Sequence, residues 1–344
     1  MSGSRRGDRV PMLDVRPSPR PQGRMPKQPR PFLSAPKPEG VAPRPRKRLA
    51  VAALLALLVP RTATAWLPEG HLATGAIAFD ALERHDPGAV AAILRLMQSH
   101  PERARFDRDL GGLAGRARGR RTFELMAIWP DLARGGPFDH DSWHYSQTFA
   151  STLRHLVPFA FGGAERAFRR NLATARDPRA DDAARAIALC WVMHIVGDMH
   201  QPLHAALWIS WRFPVSDAGG NWAWVRVSED AAPEKLHWFW DAAGRPDALS
   251  RASPEAFVAR LEREHPFEAE PPVPHPEAAF DGWVSRSREL AREVVYERGA
   301  LRPGTSPETA PVLRRDYIER TRAVGAEQVA LAGNRIGALL GGLR

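Results

Sequence analysis

The stretch that most constrains this chain is residues 194–206, HIVGDMHQPLHAA, which packs three histidines and an aspartate behind the apolar run 187–193, IALCWVM. A sequence that starts like a buried helix ends in a dense set of imidazoles and a carboxylate. On a helix, positions i and i+4 share a face, so His194 and Asp198 can aim an imidazole and a carboxylate at one point. That is a ligand spacing for zinc, which takes His nitrogen and Asp oxygen at ~2 Å. Alone the spacing is weak, since a histidine hydrogen-bonded to an aspartate at a helix end gives the same pattern. His204 follows Pro202, which bends or ends the helix. His237 and Asp241, in LHWFWD, repeat the spacing in a chain of only 12 histidines. Asp131 in IWPDLAR and His144 in SWHYSQ add two more donors.

Strand patterns are almost absent. Long stretches rich in Ala, Leu, Arg and Glu read as helices over about 70–82, 87–100, 123–134, 164–171, 181–194, 254–264, 277–296 and 316–340. Asp86-Pro87 and Ser253-Pro254 are cap-and-start pairs, with proline at the first helical position. Glycine- or proline-rich breaks fall at 111–119, 135–137, 213–221 and 270–276, and only 222–227 alternates like a short strand. The fold class is all-α, in one domain, with loops carrying the polar clusters.

The net charge of +10 suggests a polyanion partner until it is located. Residues 1–65 hold 14 Lys/Arg and 3 Asp/Glu, which leaves 35 basic and 36 acidic residues after them. The basicity belongs to the leader and says nothing about partners of the globular part. Residues 1–48, with 11 prolines, cannot bury enough surface to fold and read as disordered. Residues 44–65 carry a basic n-region, an apolar stretch over 49–59 and small residues at Ala63 and Ala65, the layout of a secretory signal peptide. The apolar stretch is shorter than the ~20 residues a membrane span needs. Cleavage after Ala65 makes Trp66 the mature N-terminus, and residues 66–344 the functional domain. A start nearer Met25 would account for the long leader. A single cysteine, Cys190, rules out a disulfide within the chain.

The ordered segments WLPEGH (66–71), WPDLAR (129–134), WHY (143–145), HIVGDMHQPLH (194–204), DAGGN (217–221) and LHWFWD (236–241) resemble those of the S1/P1 family of zinc-dependent, single-strand-specific nucleases. AGNRI (332–336) is similar to that family's last helix. The resemblance implies a single-domain, multi-helix fold of the phospholipase C/nuclease type, with a trinuclear zinc cleft and at most a short β hairpin. It implies three zinc ions. Asp131, His144, His194 and Asp198 would hold one, and His204, His237 and Asp241 a second. The third would take the free amine and carbonyl of Trp66 with His71 and a bridging Asp198. Only a chain cut before Trp66 offers that amine.

By the same resemblance Asp131, Arg134 and Asp198 are the catalytic residues, and Arg134, Tyr145, Gln147 and Asn221 contact substrate. Arg134 offers a planar fork to phosphate, and Tyr145 a ring on which an unpaired base stacks whatever its sequence. The plainer alternatives are a surface arginine at a helix end and a packed tyrosine. Asn221 meets a base, orients a ligand or simply serves a turn. His200 is off the face of Asp198 and reads as orienting a neighbour, while His85, His100, His155, His265 and His275 read as surface residues. One departure stands out. Gln147 occupies a position where the family has aspartate or asparagine, which puts rate and specificity, though not reaction class, in question.

The expectation is a secreted or periplasmic, monomeric endonuclease without a membrane anchor. It would cut single-stranded DNA and RNA to 5′-phosphorylated products, with 3′-nucleotidase activity on nucleotides as an accompaniment. The alternatives are a zinc-dependent phospholipase C and a catalytically impaired zinc-binding homologue.

Overall fold

In the computed structural model, residues 66–151, 160–245, 253–266 and 273–344 are described. The leader, with its expected disorder and signal peptide, lies outside them, as does His155. The described residues form part of one unit, 48–344.

Helix α1 (Pro68–His85) starts on proline with Glu69 in its first turn, and α2 (Pro87–Leu96) is capped by the Asp86 carboxylate, which accepts from the Ala89 amide at 3.0 Å. Both starts place an acidic group or a missing N–H where the helix end has unpaired donors. α3 (Arg103–Asp109) and α4 (Gly115–Leu132) follow. α5 (Ala164–Arg176) leads to α6 (Asp182–Asp198), whose Asp181 cap accepts from the Ala184 amide at 3.1 Å. α6 is buried without interruption from Ala188 to Asp198, so it is the central helix rather than an amphipathic surface one. Short helices α7 (Pro202–Ala205) and α8 (Leu236–Asp241) carry His204 and His237. α9 (Pro254–Glu264), α10 (Pro276–Leu290, running into a π turn over Ala291–Val295) and α11 (Arg315–Leu340) complete the all-α layout.

Glycines set the closest helix contacts. A Cβ on Gly75 of α1 would lie 2.5 Å from the Phe123 carbonyl oxygen of α4, and one on Gly333 of α11 would lie 2.6 Å from the Ile77 Cβ of α1. α1 is therefore clasped between α4 and α11. The break expected over 111–119 is present over 111–114, where the chain turns between α3 and α4 with positive φ at Gly112 and Gly115, and is corrected beyond that. Gly115 opens α4 and Gly119 lies inside it, where a Cβ would come 3.0 Å from the Phe79 ring. Gly119 serves close packing, not chain reversal.

The sheets are small. β1 (Ser146–Phe149) pairs antiparallel with β2 (Phe161–Gly162) and parallel with β3 (Ala206–Leu207), in the register Thr148↔Ala206. β4 (Trp224–Val225), inside the stretch that alternates, pairs antiparallel with β5 (Glu234–Lys235). The β1–β3 pairing sets the segment after His144 beside the segment after His204. His100 is corrected from the surface to the interior: it packs edge-on against Trp129 and Phe106, at 4.6 and 4.9 Å between ring centres, and burial lowers its pKa to about 4. The short helix α3 that carries Phe106 was not expected from the sequence. His85 and His275 are exposed and His265 half-buried. No described helix is long and apolar enough to cross a membrane.

Candidate metal centre

Five imidazoles and three carboxylates from six segments meet in three overlapping groups: His71, His194 and Asp198; Asp131, His144 and His194; and His204, His237 and Asp241. Within each group the candidate donor atoms lie within 4.8 Å of one another.

The first two groups centre on Asp198, which α6 carries one turn beyond His194. Its Oδ1 lies 3.3 Å from His71 Nε2, while its Oδ2 lies 3.0 Å from His144 Nδ1 and 3.3 Å from His194 Nε2. The two oxygens thus face different imidazoles, the arrangement a bridging carboxylate requires. Asp131, at the end of α4, stands 3.7 to 3.8 Å from the same three rings. His71 comes from α1 and stacks on the His194 ring at 4.2 Å between centres. Gly197 leaves room for it, since a Cβ there would sit 3.1 Å from His71 Nδ1.

In the third group His204 Nε2 and His237 Nε2 are 3.1 Å apart, and Asp241 Oδ1 is 3.6 Å from His237 Nε2. Backbone carbonyls fix both tautomers. His204 Nδ1 donates to His144 O and His237 Nδ1 to Gly219 O, each at 2.6 Å. A carbonyl only accepts, so both Nδ1 atoms carry the proton, which leaves the Nε2 atom of each ring facing the other. Two unprotonated nitrogens at that distance need a cation between them or a proton on one ring. His194 is oriented likewise, with Nδ1 donating to Ala127 O at 2.7 Å. These carbonyls are the outer partners that hold ligating histidines.

Burial keeps His194 well below its ordinary pKa, His144 below it and His71 down to about 4. The rings are therefore neutral and able to ligate. Burial also raises Asp198 to about 7 and Asp241 well above the carboxylate range, with neighbouring carboxylates adding to both. Nδ1 and Nε2 of His71, Nε2 of His144 and Oδ1 of Asp198 are buried without a hydrogen-bond partner. Neutral rings, crowded carboxylates and orphaned donor atoms fit a divalent cation, because buried charge otherwise goes uncompensated. Imidazole with carboxylate is a zinc donor set.

Trp66 is buried among Ala73, Ile77, Phe257 and Val329, and its indole N–H donates to Gly197 O at 3.0 Å. The next residue's amide donates to Asp241 O at 3.2 Å. The chain start of the domain is thereby tied to α6 and α8. Arg134 Nε and Nη2 lie 3.0 and 2.9 Å from Asp131 Oδ1, and Nη1 lies 3.5 Å from Asp141 Oδ1. Tyr145 is half-buried and belongs to no core cluster. Gln147 is buried on β1, where its amide donates to Leu203 O at 2.7 Å while Oε1 has no partner. The Asn221 side chain donates to Ala218 O at 3.0 Å and so closes the turn. Orientation of a ligand comes instead from the neighbouring Gly219 carbonyl. His200 bonds Val196 O and Arg335, each at 2.6 Å, tying the end of α6 to α11.

Two residues that the sequence reading passed over support the third group. Gln201 donates to Asp241 Oδ1 at 2.6 Å. Asp217, fully buried, accepts from the amides of Trp208, Gly219 and Gly220 and from the Tyr296 hydroxyl, at 2.6 to 3.1 Å. Burial pushes its pKa up to about 6 against the pull of these donors. It holds the turn in which Ala218, Gly219 and Gly220 all have positive φ, between 54° and 81°, and so sets the carbonyl that orients His237. An aspartate followed, after one residue, by a Gly-Gly pair was the available signal.

The chain matches the S1/P1 Nuclease family over residues 66–343. No curated protein matches it.

Proposed function

The chain belongs to the S1/P1 nuclease family, and on that premise we propose that it is a zinc-dependent endonuclease. It would cut single-stranded DNA and RNA to 5′-phosphorylated products, accompanied by 3′-nucleotidase activity, outside the cytoplasm after cleavage before Trp66. One observation carries the reading: five imidazoles and three carboxylates converge in three overlapping groups, and the Nε2 atoms of His204 and His237 face each other at 3.1 Å. Zinc held there supplies Lewis-acid charge and brings a water's pKa down toward ~7.

The chain's own residues do the rest. Asp198 spans the first two groups with its two oxygens, and the carbonyls of Ala127, His144 and Gly219 keep His194, His204 and His237 in the ligating tautomer. Arg134, held by Asp131, sets a planar guanidinium that suits phosphate oxygens. Tyr145 offers an aromatic face to one base. Such stacking needs an unpaired base and no particular sequence, which accounts for single-strand preference. The free amine of Trp66 joins His71 and Asp198 only in the cut chain.

Zinc-loaded protein beginning at Trp66 should degrade denatured DNA and RNA, leave duplex DNA largely intact and spare phosphatidylcholine. Cleavage of phosphatidylcholine alone would assign the site to a phospholipase. Full zinc content with no turnover would mark the impaired homologue.

A further inference from the structure

Trp211 is 79% exposed, far more than any other large apolar side chain among the described residues. It does not hang from a loose loop. Ser210 and Phe213 exchange backbone hydrogen bonds at 3.1 Å each way, closing a two-residue tip that consists of Trp211 and Arg212. Phe213 is buried in the core beside Trp240, and the base of the hairpin is locked by Trp208 O accepting from the Asp217 amide at 2.9 Å. The Trp208 ring stacks on Tyr296 at 4.7 Å between centres. The chain holds its indole out in water by construction.

The Arg212 guanidinium lies over the Trp211 ring, 4.8 Å from its centre. No ion pair to a carboxylate is found for Arg212 among the described residues, and its Nε is buried without a hydrogen-bond partner. A fixed aromatic face with an unneutralised guanidinium against it matches one kind of partner: a base that stacks, followed by a phosphate. The hairpin also leads straight to the metal centre. Asp217 at its base holds the turn whose Gly219 carbonyl orients His237. Three residues from Trp208 to Trp211 span at most ~11 Å and two from Asp217 to Gly219 at most ~7 Å. With the hydrogen-bonded crossing between Trp208 and Asp217, the tip is therefore within about 23 Å of the His237 support. That is the furthest the tip can lie, so a strand reaches it in no more than about seven nucleotides at ~3.4 Å each.

We propose that Trp211 and Arg212 form a second, outlying platform for single-stranded nucleic acid, stacking a base several nucleotides from the scissile bond and pairing with its phosphate. This rests on the nuclease reading and adds a strand-length preference to it. The test compares a dinucleotide with a 12-nucleotide single strand on the zinc-loaded enzyme. Trp211→Ala should raise KM for the 12-mer roughly 5- to 150-fold, the worth of one base stack, and leave kcat and the dinucleotide KM unchanged. Trp211→Phe should recover most of the loss, and Arg212→Ala should weaken the salt dependence of 12-mer binding. Equal KM values for parent and Trp211→Ala on the 12-mer would overturn the platform. So would phosphatidylcholine vesicles that bind the parent and not the variant, since the indole would then serve lipid. If the parent cleaves no single strand, the nuclease reading falls on its own, and fluorescence anisotropy of a labelled 12-mer with parent and variant still decides the platform.

Discussion

The two halves of the candidate centre are built by different means. Around Asp198 all donors but His144, which ends a short 3-10 turn over Asp141–His144, ride on long helices: His71 on α1, Asp131 on α4, and His194 with Asp198 on α6. Their positions follow from helix packing, with glycines 75, 197 and 333 allowing the approach. The half formed by His204, His237 and Asp241 rides on two single-turn helices and depends on a turn with three positive-φ residues held by Asp217. Rigid helices hold ligands through their own packing. Short elements need a buried polar network to do the same work, and the network becomes as important as the ligands.

The largest expected effect breaks the helical half. His194 takes part in two of the three donor groups, so His194→Ala should cost more than the ~10–100-fold that loss of an outer partner costs. It should also remove metal from the Asp198 side while the His237 side keeps its own. Metal analysis beside a denatured-DNA assay reads both, and wild-type turnover by this variant would contradict the arrangement. Next comes the other half. Asp217→Ala, which touches no ligand, should lower metal affinity of the His204–His237–Asp241 group by ~10–100-fold and leave the remaining metal in place. Uniform loss from all sites would mean that the halves are not separately supported.

What the sequence made legible follows the same division. The i,i+4 pairs His194/Asp198 and His237/Asp241 were readable because a helix repeats its faces, and α6 was readable from its apolar run. Asp131, His144 and His71 lie far ahead of α6 in the chain and contribute singly, and no local period marks them; only the ordered likeness to a known family connected them. Asp217 and Gln201 were missed because their partners are backbone amides and a carboxylate across the fold. Gly119 was misread because a glycine that admits a neighbouring ring and a glycine that breaks a helix look alike in one dimension. His100 was misread because its burial depends on Phe106, on the unanticipated α3, and on Trp129.

Two smaller effects sharpen the helical side. Gly75→Val would drive a branched side chain into the Phe123 backbone; overpacking of this kind costs ~1–3 kcal/mol. At ~2–4 °C per kcal/mol for a domain of this size, thermal unfolding should fall by roughly 2–12 °C, with the metal-free protein affected equally. The smallest is a pH effect. The folded-state pKa of His100 is about 4 against 6.5 ordinarily, so folding favours its neutral form. That contribution is complete above pH 6.5 and is lost as pH falls from 6.5 toward 4. The Tm gap between parent and His100→Gln should therefore narrow across that window, measured on metal-free protein so that ligand protonation plays no part; a gap constant with pH would contradict the buried, neutral assignment.

The most direct measurement is zinc stoichiometry on protein whose N-terminal residue is Trp66, taken with its activity on denatured DNA before and after chelation. The account predicts three zinc ions per chain, one fewer when Ala65 is retained, and cleavage that disappears with the metal and returns with it. Protein free of zinc that still cuts unpaired strands at full rate would contradict it.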